Sequence, residues 1–241
     1  MQGEPQIVFL DAVGSTNDHA KMLARAGAIE GTVITAERQT NGRGRQGNNW
    51  LSEPGNLFMT VILRPAVMAA ESGQLSFLTA VALADAVRAC VPPTVDVALK
   101  WPNDMLLNGK KAAGILLETE AQAGKPVDWV VLGVGVNVAH GPDKATNLQA
   151  LGAHEVTVAG LLAAVHKNIM ALYAVWKESG FEPIRQAWLG YAAFIGQEIN
   201  VRLPTETFRA TFQGIDAAGA LQVTMPDGST KLIASGEVYT G

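Results

Sequence analysis

Arg43 and Arg45 stand among three glycines, Gly42, Gly44 and Gly47, in a stretch that runs from Gln39 to Trp50. Two planar, five-donor guanidinium groups on a backbone with bare amides can wrap an anion. The glycines also satisfy the G-x-G-x-x-G spacing of a dinucleotide fold, but that fingerprint has to open a helix whose N-terminus faces the pyrophosphate. Here Asn48, Asn49, Ser52, Pro54, Gly55 and Asn56 follow, a run of turn formers. The stretch is therefore expected as an anion-binding loop and not as a Rossmann turn.

A second group of chemistry-bearing residues runs from Lys100 to Glu118. Lys100-Trp-Pro-Asn-Asp104 interrupts a strand with a bulky polar cluster, and Asn108-Gly109 is a two-residue hairpin signal. A type I′ turn there predicts pairing of Leu107 with Lys110, Leu106 with Lys111 and Asp104 with Ala113. Asp104 and Lys111 then share a face, on a cross-strand diagonal of roughly 7–8 Å that side chains can close. The same register puts Gly114 on the opposite face. A lysine facing a carboxylate in an otherwise apolar hairpin is a site candidate. Gly133 and Gly135 open an apolar strand that ends at Asn137, and glycine in a buried strand marks something pressing on the backbone. Ser15, Thr16 and Asn17 precede a helix. Ser15 and Asp18 read as a capping box, and a polar ligand held at the helix start is the further reading.

The elements that must position these residues follow from periodicity. Strands are expected at 7–10, 31–39, 56–63, 95–99, 105–107 and 130–138, with helices at about 16–26, 74–91, 155–178 and 183–191. From about Gly196 the pattern changes to short alternating strands with turns at 216–219 and 226–228, a small β-barrel-like domain of under fifty residues. Hydrophobic residues make up 48% of the 241 and charged ones 17%, so a sizeable core is expected. The net charge of −4 argues against a general nucleic-acid surface. Cys90 is alone and the N-terminus shows no signal-peptide pattern, which together fit a soluble, cytoplasmic protein without disulfides or a membrane anchor. No Ser-His-Asp, Cys-His or metal-spaced cluster is evident, so no protein-bound metal is expected. What remains suits positioning and charge stabilisation at a phosphate.

Gly42-Arg-Gly-Arg-Gln-Gly47 with Trp50, Lys100-Trp-Pro-Asn-Asp104, Lys110-Lys-Ala-Ala-Gly-Ile-Leu-Leu-Glu118 and Gly133-Val-Gly-Val-Asn137 resemble the motifs of biotin–protein ligases, and Ser15-Thr-Asn17 resembles that family's opening motif. The five occur in the family's order. The resemblance implies an α+β fold, a mixed β-sheet with flanking helices over residues 1–193, and an SH3-like C-terminal domain over 194–241. It implies ATP-dependent formation of biotinyl-5′-adenylate and pyrophosphate, with Mg²⁺ accompanying ATP, then transfer to one lysine of a biotin carboxyl carrier domain. By motif, Ser15, Thr16, Asn17, Gln39, Gly42, Arg43, Lys111, Gly114, Gly133 and Gly135 would hold biotin. Arg43, Arg45, Trp50, Asn103, Lys111 and Asn137 would hold the ATP-derived part. Lys111, Arg45 and Asp104 would be catalytic, Asp104 orienting either the incoming lysine or a Mg²⁺ water. Asn48-Asn49 stands where relatives often carry a basic residue, which leaves the phosphate affinity open. The form expected lacks an N-terminal DNA-binding domain and has no nucleic-acid partner; a homodimer is left open. A lipoate-type ligase, a binding-only biotin protein and a nucleotide-dependent repressor are the alternatives.

Overall fold

The computed structural model describes residues 6–240. In chain order the larger part contains β1 (Ile7–Val13), α1 (Thr16–Arg25), β2 (Val33–Gln39), β3 (Leu57–Leu63), α2 (Ala69–Ser72), α3 (Gln74–Arg88), β4 (Val97–Lys100), β5 (Asp104–Leu107), β6 (Lys110–Thr119), β7 (Val130–Val136), α4 (Val158–Ser179) and α5 (Glu182–Tyr191). The smaller part contains β8 (Glu198–Arg202), β9 (Thr207–Ile215), β10 (Leu221–Thr224), β11 (Thr230–Ile233) and β12 (Glu237–Tyr239). The first seven strands form one mixed sheet in the order β1-β2-β3-β7-β6-β5-β4, in which β1–β2 is parallel and the other pairs are antiparallel. The last five form an antiparallel sheet in the order β11-β10-β9-β8-β12.

Strand alternation assigns the two faces of the large sheet different tasks. Val130, Leu132, Val134 and Val136 of β7, with Ala113 and Ile115 of β6, face α3 and belong to the main core. The reverse face carries Val131, Gly133 and Gly135 of β7, opposite Glu118, Leu116 and Gly114 of β6. At one end of that face Ala20 and Ala24 of α1 close over Ile34, Ile62 and Val131 in a second, smaller core. Further along, Gly135 in register with Gly114, and Gly133 two residues away on the same face, leave a patch of bare main chain. The main core needs α3 almost entirely: eleven of its fifteen residues are buried, many of them alanine, because it lies between the sheet and α4. The long apolar helix α4 spends its stripe of Leu161, Leu162, Val165, Ile169, Tyr173 and Trp176 on this packing. At roughly 1.5–3 kcal/mol per large buried aliphatic or aromatic side chain, this layer is the main source of stability.

The small domain shares that core. Ile199, Val201, Phe212 and Leu221 are continuous with it, and Arg185 on α5 donates to Ile215 O at 3.0 Å. Trp101, in the interruption between β4 and β5, donates its indole N–H to Gly219 O at 3.1 Å, and the Phe77 ring lies so close that a Cβ on Gly219 would sit 2.5 Å from it.

Three local expectations are corrected. The Asn108-Gly109 turn forms with both residues at positive φ, and Leu107–Lys110 and Leu106–Lys111 pair as expected. A bulge then intervenes, so that Met105 pairs with Ala113 and Asp104 with Gly114. Ala112 is the extra residue; it is fully buried, and its carbonyl accepts the Asn137 amide at 2.8 Å. Gly114 therefore stands on the same face as Asp104, not opposite. Second, the capping box does not form. Ser15 is the N-cap of α1 by conformation but makes no side-chain cap bond, and Asp18 turns outward to Arg43 and Lys21. A charge-assisted fork to Arg43 outweighs a single bond to a backbone amide. Third, α2 and β12 were not anticipated.

Candidate active site

The bare patch is the floor of a cavity of about 410 Å³. Gly114, Gly133 and Gly135 supply the floor. A Cβ on Gly135 would lie 2.6 Å from the Trp50 ring, and one on Gly114 3.0 Å from it. A Cβ on Gly133 would overlap the Asn17 side-chain amide. All three glycines are thus required by close approach, and the indole of Trp50 lies directly on main chain. Its Nε1 is buried and has no hydrogen-bond partner among the described residues.

One end of the cavity is polar because the start of α1 meets a threonine in β3. Thr16 donates from its amide (2.9 Å) and hydroxyl (3.1 Å) to Gln39 Oε1, and Gln39 Nε2 donates to Ser52 at 3.0 Å. The Thr60 hydroxyl lies 2.9 Å from Thr16 Oγ1 and 2.7 Å from Asn17 Oδ1. Asn17 Nδ2 donates to Leu116 O at 3.1 Å and to Glu118 Oε2 at 2.7 Å. These buried polar groups satisfy one another, which fixes the donors and acceptors presented to the cavity.

The other end is cationic. Lys111 Nζ lies 2.6 Å from Asp104 Oδ1 and 5.4 Å from the centre of the Trp50 ring, and Lys100 Nζ lies 3.0 Å from Asp104 Oδ2. One carboxylate therefore holds two ammonium groups. Arg45 enters from the loop, with a single long hydrogen bond among the described residues, to Asn103 Oδ1 at 3.4 Å. Burial lowers the pKa of its guanidinium, while the charges of Asp104 and Glu237 act the other way. Donors with few protein partners at the edge of a cavity are free to meet an anion. Arg43 differs. It lines the cavity, but its guanidinium is committed to Asp18 (2.5 and 2.7 Å) and Glu118 (2.9 and 3.1 Å).

A second, more open cleft of about 920 Å³ adjoins the first across Trp50 and Lys111 and includes Asn41, Gly42, Asn137 and Pro142 in its lining. Asn137 shapes it by donating from Nδ2 to Thr146 O at 3.1 Å, while Thr146 N bonds to Lys111 O at 2.9 Å.

Every residue assigned to the site by motif thus lines one cleft or the other, whereas Gly47 and Asp18 line neither. The site also includes residues that sequence reasoning passed over. Thr60 is the one polar residue in β3, a strand otherwise wholly apolar, and that interruption was a readable signal. Glu237, Val238 and Tyr239 of β12 line the first cavity, so the small domain forms part of its wall.

Residues 12–190 match the Biotin/lipoate A/B protein ligase family, and residues 194–241 match the Biotin protein ligase C terminal domain. The chain belongs to the biotin/lipoate protein ligase family. Among its relatives is a biotin–[acetyl-CoA-carboxylase] ligase of Paracoccus denitrificans, 39% identical over 97% of this chain and 100% of that protein. The bifunctional ligase/repressor BirA of Bacillus subtilis is 34% identical over 95% of this chain and 72% of its own length. Among solved structures, a biotin protein ligase from Aquifex aeolicus in complex with biotin and ATP superposes with a TM-score of 0.82 at 26% identity, covering 97% of each chain. This family membership agrees with a site built from a bare-backbone slot, a polar end and a cationic end.

Proposed function

We infer that this chain is an ATP-dependent biotin–protein ligase. Biotin and ATP give biotinyl-5′-AMP and pyrophosphate, and the biotinyl group then passes to a lysine of a biotin carboxyl carrier domain. The observation that carries this reading is the continuity of the two clefts across Lys111 and Trp50. One is a slot with a main-chain floor and a hydrogen-bonding end; the other is wide enough for a nucleoside and is bordered by Asn137.

A bicyclic thioether would lie in the slot floored by Gly114, Gly133 and Gly135, whose main chain Trp50 and Asn17 approach closely. Its ureido group meets Ser15, Thr16, Asn17 and Gln39, and its carboxylate reaches toward Lys111 and the loop amides after Gly42. The carboxylate oxygen attacks the α-phosphorus of ATP, the bond to the bridging oxygen breaks, and pyrophosphate leaves. Lys111 and Arg45 offset the charge that gathers when two anions meet, and Asn103, Trp50 and Asn137 hold the nucleotide. Arg43, its guanidinium turned to carboxylates, contributes through its backbone. In the second step the acceptor amine attacks the acyl carbon, AMP leaves, and the amine loses a proton. Asp104 is placed beside the reacting end for that step, held there by two lysines.

ATP enters as its magnesium complex. Asp104 lines the cavity beside Lys111 and would meet the ion through its water shell, and no cluster of three or more ligating side chains occurs among the described residues, so the ion would be held chiefly by phosphate oxygens and water. The same reading divides the chain into a catalytic part over 1–193 and an SH3-like part over 194–241, and has the enzyme work in the cytoplasm on a carrier protein, with no nucleic-acid partner.

The test is incubation with ATP and Mg²⁺ plus biotin or lipoate, followed by mass analysis. Biotinyl-adenylate from biotin and none from lipoate is the expected result. Lipoyl-adenylate in preference would assign the other acid of the family, and tight biotin binding without pyrophosphate release would make the protein a binder only.

A further inference from the structure

The loop from Gly42 to Trp50 holds its own shape. Gly44 N bonds to Asn48 O, Asn48 N to Arg45 O and Trp50 N to Gly42 O, all within the segment. Trp50 packs on the sheet, but among the described residues the side-chain hydrogen bonds from this segment to the body of the protein come from two arginines, and the Arg45 contact is a single bond of 3.4 Å. Arg43 makes four bonds of 2.5–3.1 Å to two carboxylates on different elements, Asp18 in α1 and Glu118 in β6. Lys21 joins both carboxylates from the other side, at 2.9 Å to Asp18 and 3.1 Å to Glu118. Two anions and two cations leave this cluster formally neutral, so its purpose is attachment and not attraction of a charged ligand. Glu118 also accepts from Asn17, one of the residues at the polar end of the cavity.

We propose that Asp18 and Glu118 are positioning residues that latch the Gly42–Trp50 loop shut through the Arg43 fork, and that this latch retains the acyl-adenylate between the two chemical steps. The second half of the proposal rests on the ligase reading; the first does not. A planar fork held by two carboxylates fixes orientation as well as distance, which a single ion pair on a mobile loop would not. Because the loop carries both the Trp50 wall and Arg45, releasing it uncovers the whole site at once. Asn17 ties the latch to occupancy, since a ligand that engages Asn17 presses on the residue that orients Glu118.

The experiment compares wild type, Asp18→Asn/Glu118→Gln, Arg43→Ala, and the triple combination, with Arg43→Lys as the conservative variant. Melting temperature monitors the fold. Without ligand, tryptic cleavage after Arg45 should quicken about tenfold in the carboxamide pair, as loss of several charge-assisted bonds from one loop allows. Release of radiolabelled biotinyl-adenylate should quicken by a similar factor, with a smaller change in its rate of formation. Arg43→Ala should match the carboxamide pair, and the triple variant should be no worse than either, since the three residues act as one unit. Arg43→Lys should recover part of the retention. Cleavage at the wild-type rate in the carboxamide pair, or additive effects in the triple variant, overturns the latch. Faster cleavage with unchanged adenylate release overturns the retention role while leaving the latch. If wild type forms no adenylate, the retention role falls with the ligase reading, and the cleavage result still decides the latch.

Discussion

Lys111 meets Asp104 at 2.6 Å, across a two-stranded ladder in which the bulge at Ala112 sets Asp104 opposite Gly114. The ammonium is half-exposed at the mouth of the cavity and has room to turn from Asp104 to an incoming anion. Lys111→Ala should slow single-turnover adenylate formation by on the order of 10²–10³, as loss of one preorganised donor does elsewhere. Lys111→Arg should recover only part, because a broad fork does not replace a compact charge. Lys110 is exposed and makes no ion pair among the described residues, so Lys110→Ala is expected to be nearly silent. Equal losses at the two positions would remove Lys111 from its role.

Gly133→Ala tests the floor at its polar end. The new methyl would overlap the Asn17 amide, which Thr60, Leu116 O and Glu118 hold from three sides. Asn17 has to leave that network, and a buried donor left unpaired costs about 1–3 kcal/mol. Calorimetry should show biotin affinity lower by about tenfold or more, with the circular dichroism spectrum unchanged.

The Asp18 carboxyl should titrate at a pKa of about 2, because the Arg43 fork hydrogen-bonds its charged form. Burial pushes the other way but loses, and Lys21 adds to the lowering. With an unfolded-state value of about 3.9, the folded state holds the proton less tightly. The contribution is therefore fully present above about pH 4 and fades as the pH falls through the folded value. Carbon-detected NMR titration should return Asp18 most of the way to the ordinary aspartate range in Arg43→Ala. An unchanged pKa in that variant would mean that Arg43 is not its partner in solution.

Trp101→Phe should loosen the join between the two sheets. The substitution removes the bond to Gly219 O and leaves that carbonyl enclosed by Phe77 and the small domain. A loss of about 1–3 kcal/mol is expected from the orphaned acceptor. For a domain of this size each kcal/mol lowers Tm by roughly 2–4 °C. Scanning calorimetry would read this, and hydrogen exchange should quicken first around β9 and β10. A variant that melts with wild type would show that the join rests on packing alone.

Much of this site could be read from local pattern. The strand and helix order was periodic enough to read, Asn108-Gly109 announced its turn, and Gly133 and Gly135 announced a close approach. What could not be read depended on distant partners. Ala112 and Ala113 are chemically alike, so nothing local says which one bulges; the choice is made by Asn137, whose amide takes the Ala112 carbonyl. Asp18 satisfies the capping pattern with Ser15, yet an arginine twenty-five residues downstream takes it. β12 is three residues long and exists because it pairs with β8, so the information that makes Glu237 and Tyr239 cavity residues is not in their own neighbourhood.

A floor of main chain also constrains how such an enzyme can change its choice of acid. A methyl group on any of the three glycines would crowd Trp50 or Asn17, so the floor is not readily retailored by substitution, which can add atoms there but never remove them. The freedom lies in the roof, where Trp50 and its loop neighbours can shrink without disturbing the sheet. Attempts to make the slot accept a bulkier analogue should therefore concentrate their library on residues 46–52, leaving 114, 133 and 135 untouched. A smaller side chain at Trp50 is the direct way to open space above the glycine floor, with the Arg43 latch to Asp18 and Glu118 left in place to keep the enlarged site shut.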